Sequence, residues 1–233
     1  MSRAIFLLII FGVTLVSYLA AIGVGRILAR RGHPGLAWLR EKGRYAVDPV
    51  SRWLHVWSRK PKERCVRRGS ELGVTLLIFA NNLVLGALVT KTLYGVIFII
   101  PYLTTVWAGL VQGTLMYRPK QKGHNLLDAV VFLEFGGYVV AAAGGINLGL
   151  SLIFSLLQRS MDPLILAVRE LGPIYAVVAV MLLAGAFLEG RVFMGMMRRL
   201  PDSVRAKFEF PSEEWMAERV MDLGRDRERS SPN

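Results

Sequence analysis

Long apolar runs separated by short clusters of charge set the pattern of this chain. Residues 4–25, 72–90 and 92–117 contain no charged side chain, residues 129–157 contain only Glu134, and residues 171–188 contain none and run straight into Glu189. Each run reaches the roughly 18–25 residues that a helix needs to cross about 30 Å of hydrocarbon. Backbone polar groups inside lipid must be bonded within a helix or a closed barrel. The runs are continuous rather than alternating, which predicts helices and not barrel strands. The expectation is an all-α, polytopic membrane protein with about five transmembrane helices.

Composition agrees. The hydrophobic fraction of 53% and mean hydropathy of +0.42 are too apolar for an ordinary soluble domain of 233 residues. The net charge of +12 raises nucleic acid as a partner. The charge lies in segments flanking the apolar runs, however, where the positive-inside rule places it, so no nucleic acid is expected. Anionic headgroups are the natural counterpart, which makes membrane lipids a partner.

Charge also predicts the orientation. Residues 26–71 carry thirteen Lys and Arg against four acids and read as a basic cytoplasmic loop. The connection at Lys91 reads as a tight external hairpin. Residues 118–123, with Arg118, Lys120 and Lys122, read as inside. Residues 158–170 are charge-balanced and read as outside, and the tail from Arg191 reads as inside. Five spans, N-out and C-in, place 25 of the 29 basic residues inside. The implied organisation is an N-terminal anchor (1–25), the basic loop (26–71), a four-helix membrane core (72–197) and a charged tail (198–233). The apolar run at 4–25 is long for a signal peptide and precedes a strongly basic segment, so it reads as an uncleaved anchor in the cell membrane.

Residues 129–157 are interrupted by Gly136-Gly137 and Gly144-Gly145. They read as one long helix, kinked or broken at the glycines. Val50, Trp53, Leu54 and Trp57 follow i, i+3, i+4, i+7 spacing. This suits either an interfacial helix or a soluble loop helix packed on the core. In the tail, Ser212 can cap a helix whose apolar stripe is Met216, Val220 and Leu223.

Polar side chains within the spans are costly and therefore mark candidate sites. Asn81 and Asn82 lie mid-span, where the bland alternative is an inter-helix hydrogen bond. Gly86 is on the Asn82 face. Glu134 shares a face with Gly137, Ala141, Gly145 and Gly149, a small-residue stripe that admits a neighbouring backbone. The carboxylate is either ionised and paired or protonated. Glu189 and Arg191 are expected to end the last helix near the cytoplasmic side, with Gly185 one turn earlier. Glu189 pairs with a basic loop residue, caps a neighbouring helix N-terminus or snorkels to the interface. Gly109 and Gly113 form a GxxxG pair beside Gln112.

Familiar catalytic patterns are missing. There is no Walker loop, GxSxG, HExxH or CxxC. His33, His55 and His124 lie in basic segments and Cys65 is the lone cysteine, so no metal, cofactor or enzyme activity is expected.

Three landmarks together resemble the stage II sporulation protein M family of integral membrane proteins. They are Ile78-Phe79-Ala80-Asn81-Asn82-Leu83, Leu133-Glu134-Phe135 leading into the helix with Gly144-Gly145 and Gly149, and Ala184-Gly185-Ala186-Phe187-Leu188-Glu189. Their order and spacing cover roughly residues 70–195. Where family members often carry Pro-His-Gly before the glutamate, this chain has Ala129-Val130-Val131. Where they often carry Asn-Gly in the middle helix, it has Gln112-Gly113. The resemblance implies a divergent member acting as a non-catalytic membrane scaffold that positions partner proteins. Homo-oligomers are a further possibility. A permease-like subunit or small transporter using Glu134 and Asn81/Asn82 is the alternative, and lipid binding through the basic loop and Trp53/Trp57 is a third.

Overall fold

A computed structural model describes residues 3–31, 59–115 and 125–209. The proposed helix at Val50–Trp57, the cluster at 118–123 and the tail helix after Ser212 lie outside the described residues. Among those described, no strand occurs. Helix α1 spans Arg3–Arg30 and α2 spans 59–67. Helix α3, Glu71–Asn81, continues without a break into a π-helical segment, Asn82–Thr92, and a 3-10 turn, Leu93–Val96. Then come α4 (Ile99–Leu115), α5 (Asn125–Gln158), α6 (Asp162–Met197) and the short α7 (Asp202–Ala206).

Four of these helices are long and apolar enough to cross a membrane: α1, the run Glu71–Val96, α5 from Ala129, and α6. Helix α4 is equally apolar in character but has 17 residues, about 26 Å of helix at 1.5 Å per residue. Large apolar side chains such as Leu8, Val16, Leu76 and Val180 are exposed on the outer faces. The interior is held by close backbone approaches.

Contacts fix the helix directions. Ser17 of α1 meets Tyr102 of α4, and further along Gly25 lies against Leu110 and Gly113, so the two run parallel. Asn82 meets Glu134, and Gly95 lies against Gly145, so α3 and α5 are parallel too. Helix α6 is antiparallel to α5, with Gly185 beside Glu134 and Glu170 beside Asn147. Consecutive long helices thus alternate in direction.

Helix α5 is the centre of the bundle. It is one α-helix over 34 residues, continuous through both glycine pairs, so of the two expected forms the broken one does not occur. Those glycines serve approach instead. A methyl at Gly145 would lie 3.1 Å from Thr92 Cα, and one at Gly149 would lie 2.9 Å from Phe98 Cα. The irregularity sits in the facing strand of chain, the π segment. There the Thr90 hydroxyl donates to Gly86 O at 2.6 Å, the acceptor its own amide would use in an α-helix.

Two further expectations are corrected. Lys91 does not form an external hairpin: it is buried within the π segment and donates to Thr104 Oγ1 at 2.9 Å, and the turn comes at 97–98. Residues 162–170, which read as outside, belong to α6, whose first turn holds Asp162 and Pro163. The last helix does not end at Glu189 and Arg191 but runs on to Met197.

Helix α2 belongs to the core rather than to a free loop. Gly69, at φ +68, ends it, and Ser70 then caps α3 by accepting from the Gly73 amide at 3.2 Å. Val66 packs with Val74, Ile78, Ala186 and Met194. Arg198 pairs with Glu71 at 2.7 Å, tying the end of α6 to the start of α3.

Candidate functional site: an inter-helix carboxylate cluster

Glu134 reaches its position because Gly185 leaves room for it: a methyl there would lie 3.0 Å from Glu134 Cγ. Asn82 Nδ2 donates to Glu134 Oε1 at 2.6 Å. The carboxyl group of Glu189 lies near that of Glu134. Three long helices, α3, α5 and α6, therefore meet at this cluster.

A fourth element supplies the counter-charge. Lys62, on α2, lies near both carboxyl groups. Burial pushes the Lys62 ammonium below its ordinary value, and the Glu189 and Glu134 charges oppose that shift without cancelling it. Tyr138, one turn beyond Glu134, fits against the space at Gly86 and meets the Phe135 ring edge-on at 5.8 Å. The amide oxygen Oδ1 of Asn81 is buried and accepts no hydrogen bond from the described residues.

The remaining sequence candidates separate from this cluster. Gln112 is buried between α4 and α1, where its side-chain oxygen accepts from the Tyr18 hydroxyl. Tyr18 in turn stacks on Phe135 at 6.0 Å. Gly137 packs on Leu182 of α6, and Gly145 on the π segment. Both are packing positions rather than parts of the polar site. No group of three His, Cys, Asp or Glu that could hold a metal ion occurs among the described residues.

A second polar cluster was not singled out from the sequence. Arg3 Nε pairs with Glu170 Oε1 at 2.8 Å, and its Nη2 donates to Pro163 O at 3.0 Å. Glu170 Oε2 accepts from Asn147 Nδ2 at 3.0 Å, and Asn147 is wholly buried. This cluster clasps the ends of α1, α5 and α6 opposite to the Glu134 cluster. The signal was present in Asn147, a lone amide in an apolar run. Between the clusters, Thr92 Oγ1 lies 2.7 Å from the Tyr175 hydroxyl.

Compared with protein-family models, curated proteins and solved structures, the chain matches none.

Proposed function

We propose that the chain is a five-span, N-out and C-in component of the cell membrane that positions partner proteins without catalysing a reaction, as the resemblance to stage II sporulation protein M implies. The observation that carries this reading is the position of Lys62, half-buried on α2 near Glu189 and Glu134. It ties the basic segment directly to the polar centre of the bundle. A protein bound to that segment is thereby held in fixed register with three membrane helices. Helix α4, parallel to α1 and 17 residues long, supplies the fifth crossing.

The test is a pull-down of the full chain from native membranes in mild detergent or nanodiscs, followed by mass spectrometry. A stoichiometric protein partner is expected, and its loss on Lys62→Glu would tie it to the docked segment. A monodisperse, partner-free protein that moves a solute in proteoliposomes would sink the proposal.

A second reading, a permease-like subunit, is favoured by one observation: Glu134, with Glu189 nearby, is bonded inside the bundle to Asn82 of a π-helical segment, a feature frequent at functional sites. It requires Glu134→Gln to abolish flux while the folded assembly survives. Loss of assembly in that variant instead supports the scaffold.

A further inference from the structure

Helices α1 and α4 cross tightly at Gly109, Gly113 and Gly25, and beside this crossing they leave an open groove. The groove has a volume of about 630 Å³. Ala20, Val24, Leu103, Val106, Trp107 and Leu110 are among its lining residues. Its polar atoms are few, and the Ser17 and Tyr102 hydroxyls at one end are bonded to each other at 2.9 Å. That pair bounds the groove near the middle of α1.

The other end points towards charge. The groove positions on α1 are Ser17, Ala20, Ala21 and Val24. Continuing the same helical row by threes and fours leads through Ile27 and Leu28 to Arg31. The amide of Arg31 still donates to Ile27 O at 3.1 Å, so the helical register holds to that residue. Arg30 and Arg31 are both exposed. Ser17 to Val24 covers roughly 10 Å of helix, and Val24 to Arg31 roughly 10 Å more. Together these span about the depth of one leaflet, half of a hydrocarbon core roughly 30 Å thick, plus the headgroup layer.

We propose that this groove is a binding site for an anionic phospholipid. One acyl chain lies along Val24, Leu103, Val106 and Leu110, and the phosphate sits at Arg31 with Arg30 beside it. The apolar lining offers nothing to a polar ligand. A groove of about two helical turns is short for a partner transmembrane helix, which would contact a whole span. The arginine pair at the open end selects negative headgroups over zwitterionic ones.

The test is native mass spectrometry of the full chain in mild detergent, incubated with phosphatidylglycerol or phosphatidylcholine of the same acyl chains. Phosphatidylglycerol should be retained over phosphatidylcholine, and Arg31→Gln should cut that preference roughly fivefold, the effect of one basic residue at a lipid surface. Ala20→Trp should fill the groove and abolish retention, with unchanged thermal stability confirming the fold. Leu103→Phe, a milder filling, should weaken it in the same direction. Equal retention of the two lipids, or full retention by both groove-filling variants, overturns the site. So does a doubled, lipid-free mass, which would give the groove to a second copy of the chain.

Discussion

Asn82 and Glu134 form the shortest inter-helix polar contact at the carboxylate cluster, 2.6 Å. Inside a bilayer such bonds contribute less than their geometry suggests, because separated helices also find polar partners. A double-mutant cycle on Asn82→Leu and Glu134→Leu in mild detergent is therefore expected to give a coupling of about 0.6–1.7 kcal/mol. A coupling near zero would mean that the contact is incidental. Lys62 gives a second residue-scale prediction. Its protonated form is disfavoured when docked, so the undocked chain binds more protons between the lowered value and the ordinary 10.5. Stability linked to docking must then rise with pH across that window. The melting temperature of the wild type, relative to Lys62→Met, should climb as pH increases from neutral towards 10. A flat difference would show that Lys62 stays in water.

At the scale of elements, the glycines divide into those that carry an approach and those that do not. A methyl at Gly113 would lie 2.9 Å from Ile22 Cα, whereas nothing lies within 4 Å of one at Gly23. Gly113→Ala must push α1 off α4 and should cost about 1–3 kcal/mol. Gly23→Ala should be neutral or stabilising by about 0.5–1 kcal/mol, since it only removes backbone freedom from the unfolded chain. Thermal unfolding of the two variants side by side decides this, and equal effects would contradict the α1–α4 crossing. The GxxxG pair at Gly109 and Gly113 was legible from spacing alone, as were the apolar runs that became α1, α3, α5 and α6. The start of α6 was not. Asp162, Arg169 and Glu170 look like loop charges until Glu170 is seen bonded to Arg3 and Asn147 from two other helices. Lys91 misled for a similar reason: only the π segment and the 3-10 turn after it carry the chain past Lys91 before it reverses. The candidate site was legible as separate residues, Asn82, Glu134 and Glu189. Their convergence, and the arrival of Lys62 from the basic segment, depend on pairings 52 or more residues apart for which spacing carries no signal.

The whole molecule is pinned at both ends by charge that the hydrocarbon would otherwise exclude. The Arg3–Glu170–Asn147 cluster closes one end and the Glu134–Glu189–Lys62 cluster the other, with α5 running through both. Helix direction follows from these clasps, but which end faces the cytoplasm follows only from the density of Lys and Arg. Three single cysteines in a Cys65→Ser background separate the possibilities. Met161 is 59% exposed in the turn between α5 and α6, Arg199 is exposed beyond the end of α6, and Ser2 precedes α1. In intact cells a membrane-impermeant maleimide should label Ser2→Cys and Met161→Cys but reach Arg199→Cys only after permeabilisation. Labels at Ser2 and Arg199 on opposite sides require an odd number of crossings. With α1, α3, α5 and α6 each long enough to span, that makes α4 the fifth. Labels on the same side would leave α4 short of a crossing, and the parallel packing of α1 and α4 would then need a different explanation.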